Sequence, residues 1–550
     1  MKVLFKFIYQ LITIKLFILI YLLPPPLLAN DQIELVFTYG SEKENWITAV
    51  TETFNQDHLK ITSGKVIHVT AIPMGSGEAM QELLEGKRQT HLCSPASAAF
   101  IELANAESVD QSGKSLIGST QSLVRSPVVI AMWKPMAEAL GWGKKPLGWA
   151  EIFNMANQPE GWAAYDYPEW GKFKFGHTHP KFSNSGLISL LAEVYAGSGK
   201  TKNLTVADVN NSDVRHYVET IEKSVVHYGS STGFFGDKMF TFGPAFLSAA
   251  VLYENMVIDS YNPQYKLPFP IVAIYPQEGT FWSDHPVGVV EREWVTAEHH
   301  QAAKIYINYL LAKPQQEKAI SYGFRPADNN IRLTSPLDET HGVNSLEPTT
   351  LLEVPPAYVI REILNLWNER KKHTNVVLAL DVSGSMMGDK LNHARQGALK
   401  FLQALGDADN VSLLTFNHEI NWLAKQLPIK TERQFIEKKI NSLFASGGTA
   451  LYDAITDAYQ YLQKNPQTNK IAAIVVLSDG QDTSSQLKLD ELLKQVQLTE
   501  ANAILIFPIG YGDDADKTVL KSIANETKTR FYQGTIQDIE KVFLDISTFF

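Results

Sequence analysis

The segment NVVLALDVSGSM (375–386) gives the clearest indication of the fold of the C-terminal third of the chain. Its first seven residues form an apolar run that ends at Asp381, a pattern typical of a strand buried on both faces of a sheet. Helical patterns separate it from three similar strands further along, NVSLLTFN (410–417), KIAAIVVLSDG (470–480) and AILIFPIG (503–510). Apolar strands that alternate with helices predict a Rossmann-like, doubly wound and mostly parallel α/β sheet.

Two details refine this prediction. NWLAKQLPI (421–429) is a weaker strand, and Pro428 favours an edge position because proline cannot donate to the sheet ladder. The following helix, TERQFIEKKINSL, is expected to open at Thr431 with a Thr-x-x-Gln capping box.

Polar residues collect at the predicted carboxyl edge of this sheet, where such folds bind ligands. Asp381, Ser383 and Ser385 follow the first strand, Thr449 lies in the loop SGGT before a helix, and Asp479 ends the strand at 470–480. Each piece alone is a common turn or helix cap. Together they offer two carboxylates and three hydroxyls, an all-oxygen set that suits Mg²⁺, or alternatively Mn²⁺ or Ca²⁺.

These residues resemble the metal-ion-dependent adhesion site (MIDAS) of the von Willebrand factor A (VWA) family, over roughly residues 375–550. The matching pieces are DVSGSM (381–386), Thr449 in SGGTALYDAI and Asp479 in VVLSDGQDT. The resemblance implies that Ser383 and Ser385 ligate the cation directly and that Thr449 does so directly or through water. Asp381 and Asp479 would lie in the inner or outer shell. It further implies an open metal position that a carboxylate from a partner protein fills. Asp453 and Asp482, close to these motifs, are interpreted as a solvated helix face and a loop.

The segment 32–327 mixes short strands such as IELVFTYG (33–40) and SPVVIAMW (126–133) with helical patterns. It resembles a two-lobed, type II extracellular solute-binding protein. The pieces that carry the resemblance are YGSEKENW (39–46), MGSGEAMQ (74–81), SPAS (94–97), RSPVVIAM (125–132), HPKFSNSG (179–186), GTFWSDHPVGVV (279–290) and the run from AAKIYINYLL to YGFRPAD (302–328). The fold class expected for the whole chain is therefore α/β, with a periplasmic-binding-protein-like module before the VWA domain.

Small and hydroxylated residues in strand-to-helix loops are the candidates for solute binding, because free N–H groups at helix starts suit anionic oxygens. They are Ser41, Gly75, Ser76, Gly77, Ser183 and Ser185. The alternative is that each is an ordinary helix cap. His177 and His179 could suggest a metal site, but with no clear ligand nearby in sequence we interpret them as surface-loop histidines.

Composition sets further limits on 550 residues with 45% hydrophobic and 20% charged content. The formal charge of −10 disfavours nucleic-acid binding, and Cys93, the only cysteine, excludes an intrachain disulfide. Residues 1–29, with a basic start, an apolar stretch and a small residue at Ala29, predict a secretory signal, or alternatively a retained membrane anchor. Its cleavage would remove three lysines and lower the charge to −13. Residues 328–374 have linker composition, with a helical stretch at 357–370.

The function expected from the sequence is an exported, non-enzymatic binding protein of the periplasm or cell envelope. Its VWA domain would hold a divalent cation and engage a protein partner, and membrane contact would come only through an uncleaved N-terminal segment. One alternative is a transport-linked receptor that captures an anion or a small polar solute. Another is a metal-assisted hydrolase, for which His418 is the nearest candidate base in sequence.

Overall fold

The computed structural model describes residues 32–229, 231–467, 470–497, 504–527, 529–547 and 549. The predicted signal or anchor, residues 1–29, lies outside these described residues. None of the described helices combines the length and the apolar character that a membrane crossing requires.

The first module contains twelve short strands among its described residues. In chain order they are β1 (Gln32–Gly40), β2 (Val66–Met74), β3 (Leu92–Ser94), β4 (Ile117–Ser122), β5 (Val124–Trp133), β6 (Phe175–Thr178), β7 (Val225–Gly229), β8 (Ala249–Tyr253), β9 (Ile271–Ile274), β10 (Trp282–Ser283), β11 (Pro286–Val290) and β12 (Arg325–Pro326). Its helices are α1 (Glu44–Gln56), α2 (Ser76–Leu84), α3 (Ala98–Ser112), α4 (Lys134–Leu140), α5 (Trp149–Ala156), α6 (Asn184–Ser198), α7 (Val206–Val209), α8 (Ser212–Ser224), α9 (Thr232–Phe242), α10 (Glu254–Asp259), α11 (Ala297–Leu311) and α12 (Lys313–Ser321).

These elements form two lobes, each built on its own sheet. The sheet of lobe 1 has the order β2-β1-β3-β11-β4, and that of lobe 2 runs β10-β5-β8-β6-β7, with β9 and β12 also paired to β5. The chain crosses between the lobes from β4 to β5 and returns from β10 to β11. Helices α11 and α12 then complete lobe 1, whose core includes Trp46, Phe54 and Tyr306. This confirms the predicted two-lobed α/β module.

The segment predicted as a linker packs along the surface of lobe 2. Leu337, Val343 and Leu352 are buried there, and Arg325 of β12 donates to the carbonyls of Asn344 and Ser345. A helix, α13 (Ala357–Arg370), follows and packs against α8. This segment therefore follows a fixed path on the surface of lobe 2, although its composition is that of a linker.

The C-terminal domain is a doubly wound sheet, as predicted. Its strands are β13 (His373–Asp381), β14 (Asn410–Phe416), β15 (Ile420–Pro428), β16 (Lys470–Ser478), β17 (Ile504–Tyr511) and β18 (Tyr532–Gly534). Its helices are α14 (Asp389–Ala404), α15 (Ile429–Asn441), α16 (Leu451–Lys464), α17 (Leu489–Val496), α18 (Lys517–Glu526) and α19 (Ile539–Ser547). The strand order is β15-β14-β13-β16-β17-β18, and β15 alone is antiparallel to its neighbour among these described strands.

Alternate residues of β13 explain why both faces of the sheet are covered. Val376 and Leu378 belong to one apolar core, whereas Val377 and Ala379 belong to another. Successive side chains of a strand point to opposite faces, so a continuous apolar run needs helices on each side. The edge position predicted for Pro428 is confirmed. The capping-box prediction is wrong, because α15 begins at Ile429, before Thr431, with Pro428 at its N-cap.

Candidate metal centre and inter-lobe cleft

The loop after β13 holds its polar side chains in a compact hydrogen-bonded arrangement. Asp381 is fully buried; its Oδ1 accepts from the Ser383 N–H at 2.8 Å and its Oδ2 accepts from Ser478 Oγ at 2.7 Å. The hydroxyls of Ser383 and Ser385 lie 3.0 Å apart. The aspartate thus fixes the backbone of the loop from which both serines project.

Asp479 reaches the same point from the end of β16. Its Oδ1 accepts from Ser385 Oγ at 2.6 Å, and its Oδ2 lies 2.8 Å from the Nζ of Lys390 on α14. The Asp479 side chain is fully buried, whereas that of Lys390 is 23% exposed. Lys390 was not among the predicted site residues, although its place as the second residue of the helix after the D-x-S-x-S loop is a signal that could have indicated it.

The third predicted piece, the loop before α16, lies against the first. Gly384 N donates to Gly447 O at 2.9 Å, and Ser446 N donates to Val382 O at 2.8 Å. Thr449 is buried, and its backbone N–H donates to Thr483 Oγ1 at 3.0 Å. The three separated segments therefore meet at the carboxyl edge of the sheet.

The donor set fits a hard divalent cation. Metal–oxygen bonds of about 2.0–2.1 Å place neighbouring octahedral ligands about 2.9 Å apart. The Oγ atoms of Ser383 and Ser385 are 3.0 Å apart, and Ser385 Oγ is 2.6 Å from Asp479 Oδ1. Burial raises the pKa of Asp381 to about 6, against the lowering effect of the Ser383 and Ser478 donors, and the nearby Asp479 raises it further. Two buried carboxylates side by side form a site that positive charge would stabilise.

Three neighbouring residues qualify the sequence interpretation. Asp453 accepts from the N–H groups of Gln486 and Leu487, and Asp482 accepts from Tyr452 N, so both tie the loop after β16 to α16 rather than pointing into solvent. His418 lies beside Gly447: a Cβ there would come within 2.2 Å of its Nδ1.

A large cleft of about 1220 Å³ opens between the lobes. The carboxylates among its described lining residues are Glu42, Glu44, Glu78, Asp237, Asp259 and Asp545, and the Lys and Arg residues are Arg88, Arg530 and Lys541. Burial raises the pKa of Asp259 to about 6. The excess of carboxylates gives the cleft an acidic lining.

The six predicted solute-binding residues lie in different environments, some on the cleft and others in internal hydrogen bonds. Ser41 and Gly75 line the cleft. Ser76 Oγ accepts from Ala96 N, and Ser183 and Ser185 share hydrogen bonds with Thr232 inside lobe 2.

Gly77, the remaining predicted residue, marks a direct contact between the lobes. Gly77 N and Glu78 N donate to the carbonyl oxygen of Phe182, at 2.9 and 3.3 Å. The N–H groups that we expected to meet an anionic solute at the start of α2 therefore bind a main-chain carbonyl of lobe 2.

The prediction for the two histidines is wrong. His177 is fully buried and His179 is 7% exposed, because β6 lies inside the second sheet rather than in a surface loop. Glu193 and Glu222, distant in sequence, are the neighbours of His177 that the local pattern did not show.

A two-lobed module joined to a doubly wound domain with an oxygen-rich site defines a class of binding proteins. The chain belongs to the bacterial extracellular solute-binding protein family, whose model matches residues 35–325. Residues 375–544 match the von Willebrand factor type A domain. Both sequence resemblances are confirmed.

Several known proteins are similar to one or the other part. The mouse inter-alpha-trypsin inhibitor heavy chain H2 is 30% identical over 188 residues, which cover 32% of this chain and 20% of that protein. The chain thus spans about a fifth of the length of the first curated relatives that it matches.

Among solved structures, the periplasmic binding protein AfuA of Actinobacillus pleuropneumoniae is 13% identical, with a TM-score of 0.43, covering 62% of this chain and 99% of that one. A von Willebrand factor type A protein of Catenulispora acidiphila is 19% identical, with a TM-score of 0.29, covering 32% and 42%.

Proposed function

We propose that this chain is an exported, non-enzymatic binding protein that engages a protein partner through a divalent cation, for which Mg²⁺ is the first candidate. The observation that carries the proposal is the meeting of three loops at one sheet edge, which brings the hydroxyls of Ser383 and Ser385 to the carboxylate of Asp479. Asp381, Ser383, Ser385, Thr449 and Asp479 are the residues that would hold the cation. A cation bound there would supply a Lewis-acidic centre for an acidic side chain of the partner.

Exposed apolar side chains beside the site support a protein partner. Met387 and Phe444, which we call the apolar rim, are 69% and 77% exposed. Their loops are joined by the hydrogen bond from Ser446 N to Val382 O. An apolar rim beside an oxygen-rich site suits an acidic residue that is flanked by apolar ones.

Calorimetry tests the cation site directly. Mg²⁺ or Mn²⁺ is titrated into the wild type and into the Ser383→Ala/Ser385→Ala double variant, and the double variant is expected to lose at least tenfold in affinity, about 1.4 kcal/mol. Ser442→Ala/Ser522→Ala is the matched control, because among the described residues these hydroxyls bond to the helix carbonyls Lys439 O and Thr518 O and not to the site. Equal affinities in wild type and double variant would refute the site.

Capture from envelope extract tests the partner, with and without chelator. The proposal expects a captured protein that needs both the cation and the two serines. Met387→Ala/Phe444→Ala is expected to weaken this capture while leaving the calorimetric cation affinity unchanged. A captured set that is identical with chelator and in the double variant would contradict partner binding through the metal.

The acidic cleft supports a second function, capture of a polar solute by the first module. The cleft is lined by more carboxylates than Lys and Arg side chains. This charge balance favours a hydroxylated or cationic solute over an anion. A thermal-shift screen compares sugars and amino acids, including basic ones, with phosphate, sulfate and molybdate. Stabilisation by the anions alone would contradict this preference.

The site offers less support for catalysis than for binding. Among the described residues, no site oxygen accepts a hydrogen bond from His418, although the ring lies beside Gly447. A general base must reach the proton that it removes, directly or through one water. Metal-dependent turnover of phosphoesters that is abolished by Asp479→Ala would overturn the non-enzymatic proposal.

A further inference from the structure

Lobe 2 encloses a group of ionisable side chains that neither the cleft nor the C-terminal site uses. His177 on β6, Glu193 on α6 and Glu222 on α8 are all fully buried. One ligand atom from each lies within 4.8 Å of the other two. Burial of two carboxylates beside one imidazole is costly unless positive charge is present. The buried Lys371 interacts electrostatically with Glu222.

The hydrogen bonds of His177 define which ring nitrogen carries a proton. Nδ1 lies 2.8 Å from the carbonyl oxygen of Thr178, which can only accept, so Nδ1 is the donor. Nε2 lies 3.0 Å from Glu222 Oε1. In the neutral ring, the Nε2 lone pair would face a carboxylate oxygen, an arrangement that needs a proton or a cation between them.

Glu193 provides an independent indication. Its Oε1 accepts from Ser189 Oγ at 2.9 Å, whereas its Oε2 is buried and has no hydrogen-bond partner among the described residues. A buried carboxylate oxygen that gives up its hydration without gaining a hydrogen bond or a cation is unfavourable. Burial, with the charge of Glu222, raises the pKa of Glu193 well above its ordinary value.

The surroundings match the outer shell of a metal centre. Ligating histidines usually donate their other N–H to a carbonyl or carboxylate, as His177 does to Thr178. The second oxygen of Glu222 accepts from Tyr228 Oη at 2.5 Å and from Trp367 Nε1 at 3.2 Å. Both contacts leave Oε1 directed at the imidazole.

We propose that His177, Glu193 and Glu222 bind one divalent transition-metal cation of the zinc class at a buried site inside lobe 2. One nitrogen and carboxylate oxygens are a ligand set that zinc accepts, with bonds of about 2.0–2.2 Å. Tetrahedral ligands at such distances lie about 3.3–3.6 Å apart, so the cation would move Nε2 and Glu222 Oε1 slightly apart from their present 3.0 Å. Through Trp367 the site also holds α13, the helix that leads into the C-terminal domain.

Metal analysis of the purified full-length chain tests the proposal. After dialysis, elemental analysis is expected to find about one transition-metal ion per chain in the wild type and in Ser383→Ala/Ser385→Ala. Glu193→Gln and His177→Gln are expected to lose most of it. Protein produced with Co²⁺ is expected to show visible d–d absorption that Glu193→Gln lacks, a readout independent of stability.

A second buried glutamate separates metal loss from general destabilisation. Glu254 is also fully buried, but both of its oxygens accept from Arg325, at 2.8 and 2.5 Å. Glu254→Gln is expected to lower the melting temperature and keep its metal. Wild type without transition metal and without cobalt absorption would overturn the proposal, as would Glu193→Gln that retains the wild-type metal content.

Discussion

Lys390 places a fixed positive charge next to the proposed cation site. Its Nζ lies 2.8 Å from Asp479 Oδ2, while Ser385 occupies the other oxygen of the same carboxylate. The ammonium group therefore neutralises part of the negative charge that would attract a divalent cation. It also orients Asp479 so that Oδ1 faces the serines. Charge and orientation act in opposite directions on cation affinity.

Lys390→Gln is expected to tighten Mg²⁺ binding several-fold, because like charges at short range repel strongly at a partly buried site and glutamine can still donate to Asp479. Calorimetric titration at two ionic strengths measures the effect. Lys400→Gln is the matched control, since Lys400 is exposed on the same helix, α14, far from the loop. Weaker Mg²⁺ binding in Lys390→Gln would show that orientation outweighs charge.

At the level of elements, the C-terminal site was predictable because it depends on where strands end. The carboxyl ends of parallel strands share one edge, so Asp381 and Asp479 had to approach each other once β13 and β16 were recognised. The group around His177 was not predictable in this way. It depends on which helices pack over β6, here α6 and α8, and a local apolar pattern does not specify the partner of a helix. The prediction of where α15 begins was wrong for a related reason. Pro428 at the N-cap and the burial of Ile429 outweighed the capping-box signal.

The contact between α2 and the loop 181–182 closes the cleft at one point, and Gly77 permits it. A Cβ on Gly77 would lie 2.0 Å from Lys181 O, which is a backbone atom and cannot rotate away. Gly77→Ala is therefore expected to separate the two lobes locally and to destabilise the first module by about 1–3 kcal/mol. Hydrogen exchange at residues 75–85 and 181–186 should accelerate, and the radius of gyration from solution scattering should rise.

Gly406→Ala controls for the substitution itself, because the nearest atom to its Cβ, Asp409 Oδ2, is at an ordinary 3.4 Å. Exchange rates and melting temperature in Gly77→Ala that match those of Gly406→Ala would disprove the role of this contact.

On the scale of the whole molecule, the C-terminal domain touches both lobes near the mouth of the cleft. Lys541 Nζ on α19 lies 2.9 Å from Glu78 Oε1 and 3.5 Å from Glu82 Oε1 of lobe 1. On lobe 2, Lys238 Nζ donates to Thr529 O at 2.7 Å, and the Arg530 guanidinium lies 5.1 Å from the Phe234 ring centroid. Contacts of α19 and of residues 529–530 therefore connect the C-terminal domain to both lobes.

Asp545 is expected to make this junction sensitive to pH. Burial, with the charges of Glu78 and Glu82 opposed by Lys541 and Arg530, raises its pKa to about 7. The ordinary pKa is 3.8, so the folded chain binds this proton more tightly than the unfolded chain does. The stabilising contribution is complete below about pH 4 and is lost as the pH rises through 7. Because the side chain is partly exposed, solvent screening reduces the effect.

Asp545→Asn removes this titration. The melting temperature of the wild type relative to Asp545→Asn is expected to fall by a few degrees between pH 5 and pH 8, equivalent to about 1–2 kcal/mol. Calorimetric scans at four pH values measure it, with Asp513→Asn as the control because Asp513 is fully exposed in the same domain. A wild-type curve parallel to that of Asp545→Asn across this range would contradict the assignment.

A difference that appears only when Glu78 and Glu82 are intact would place the pH dependence at the junction between α19 and lobe 1, since these two carboxylates supply the repulsion that deprotonated Asp545 meets.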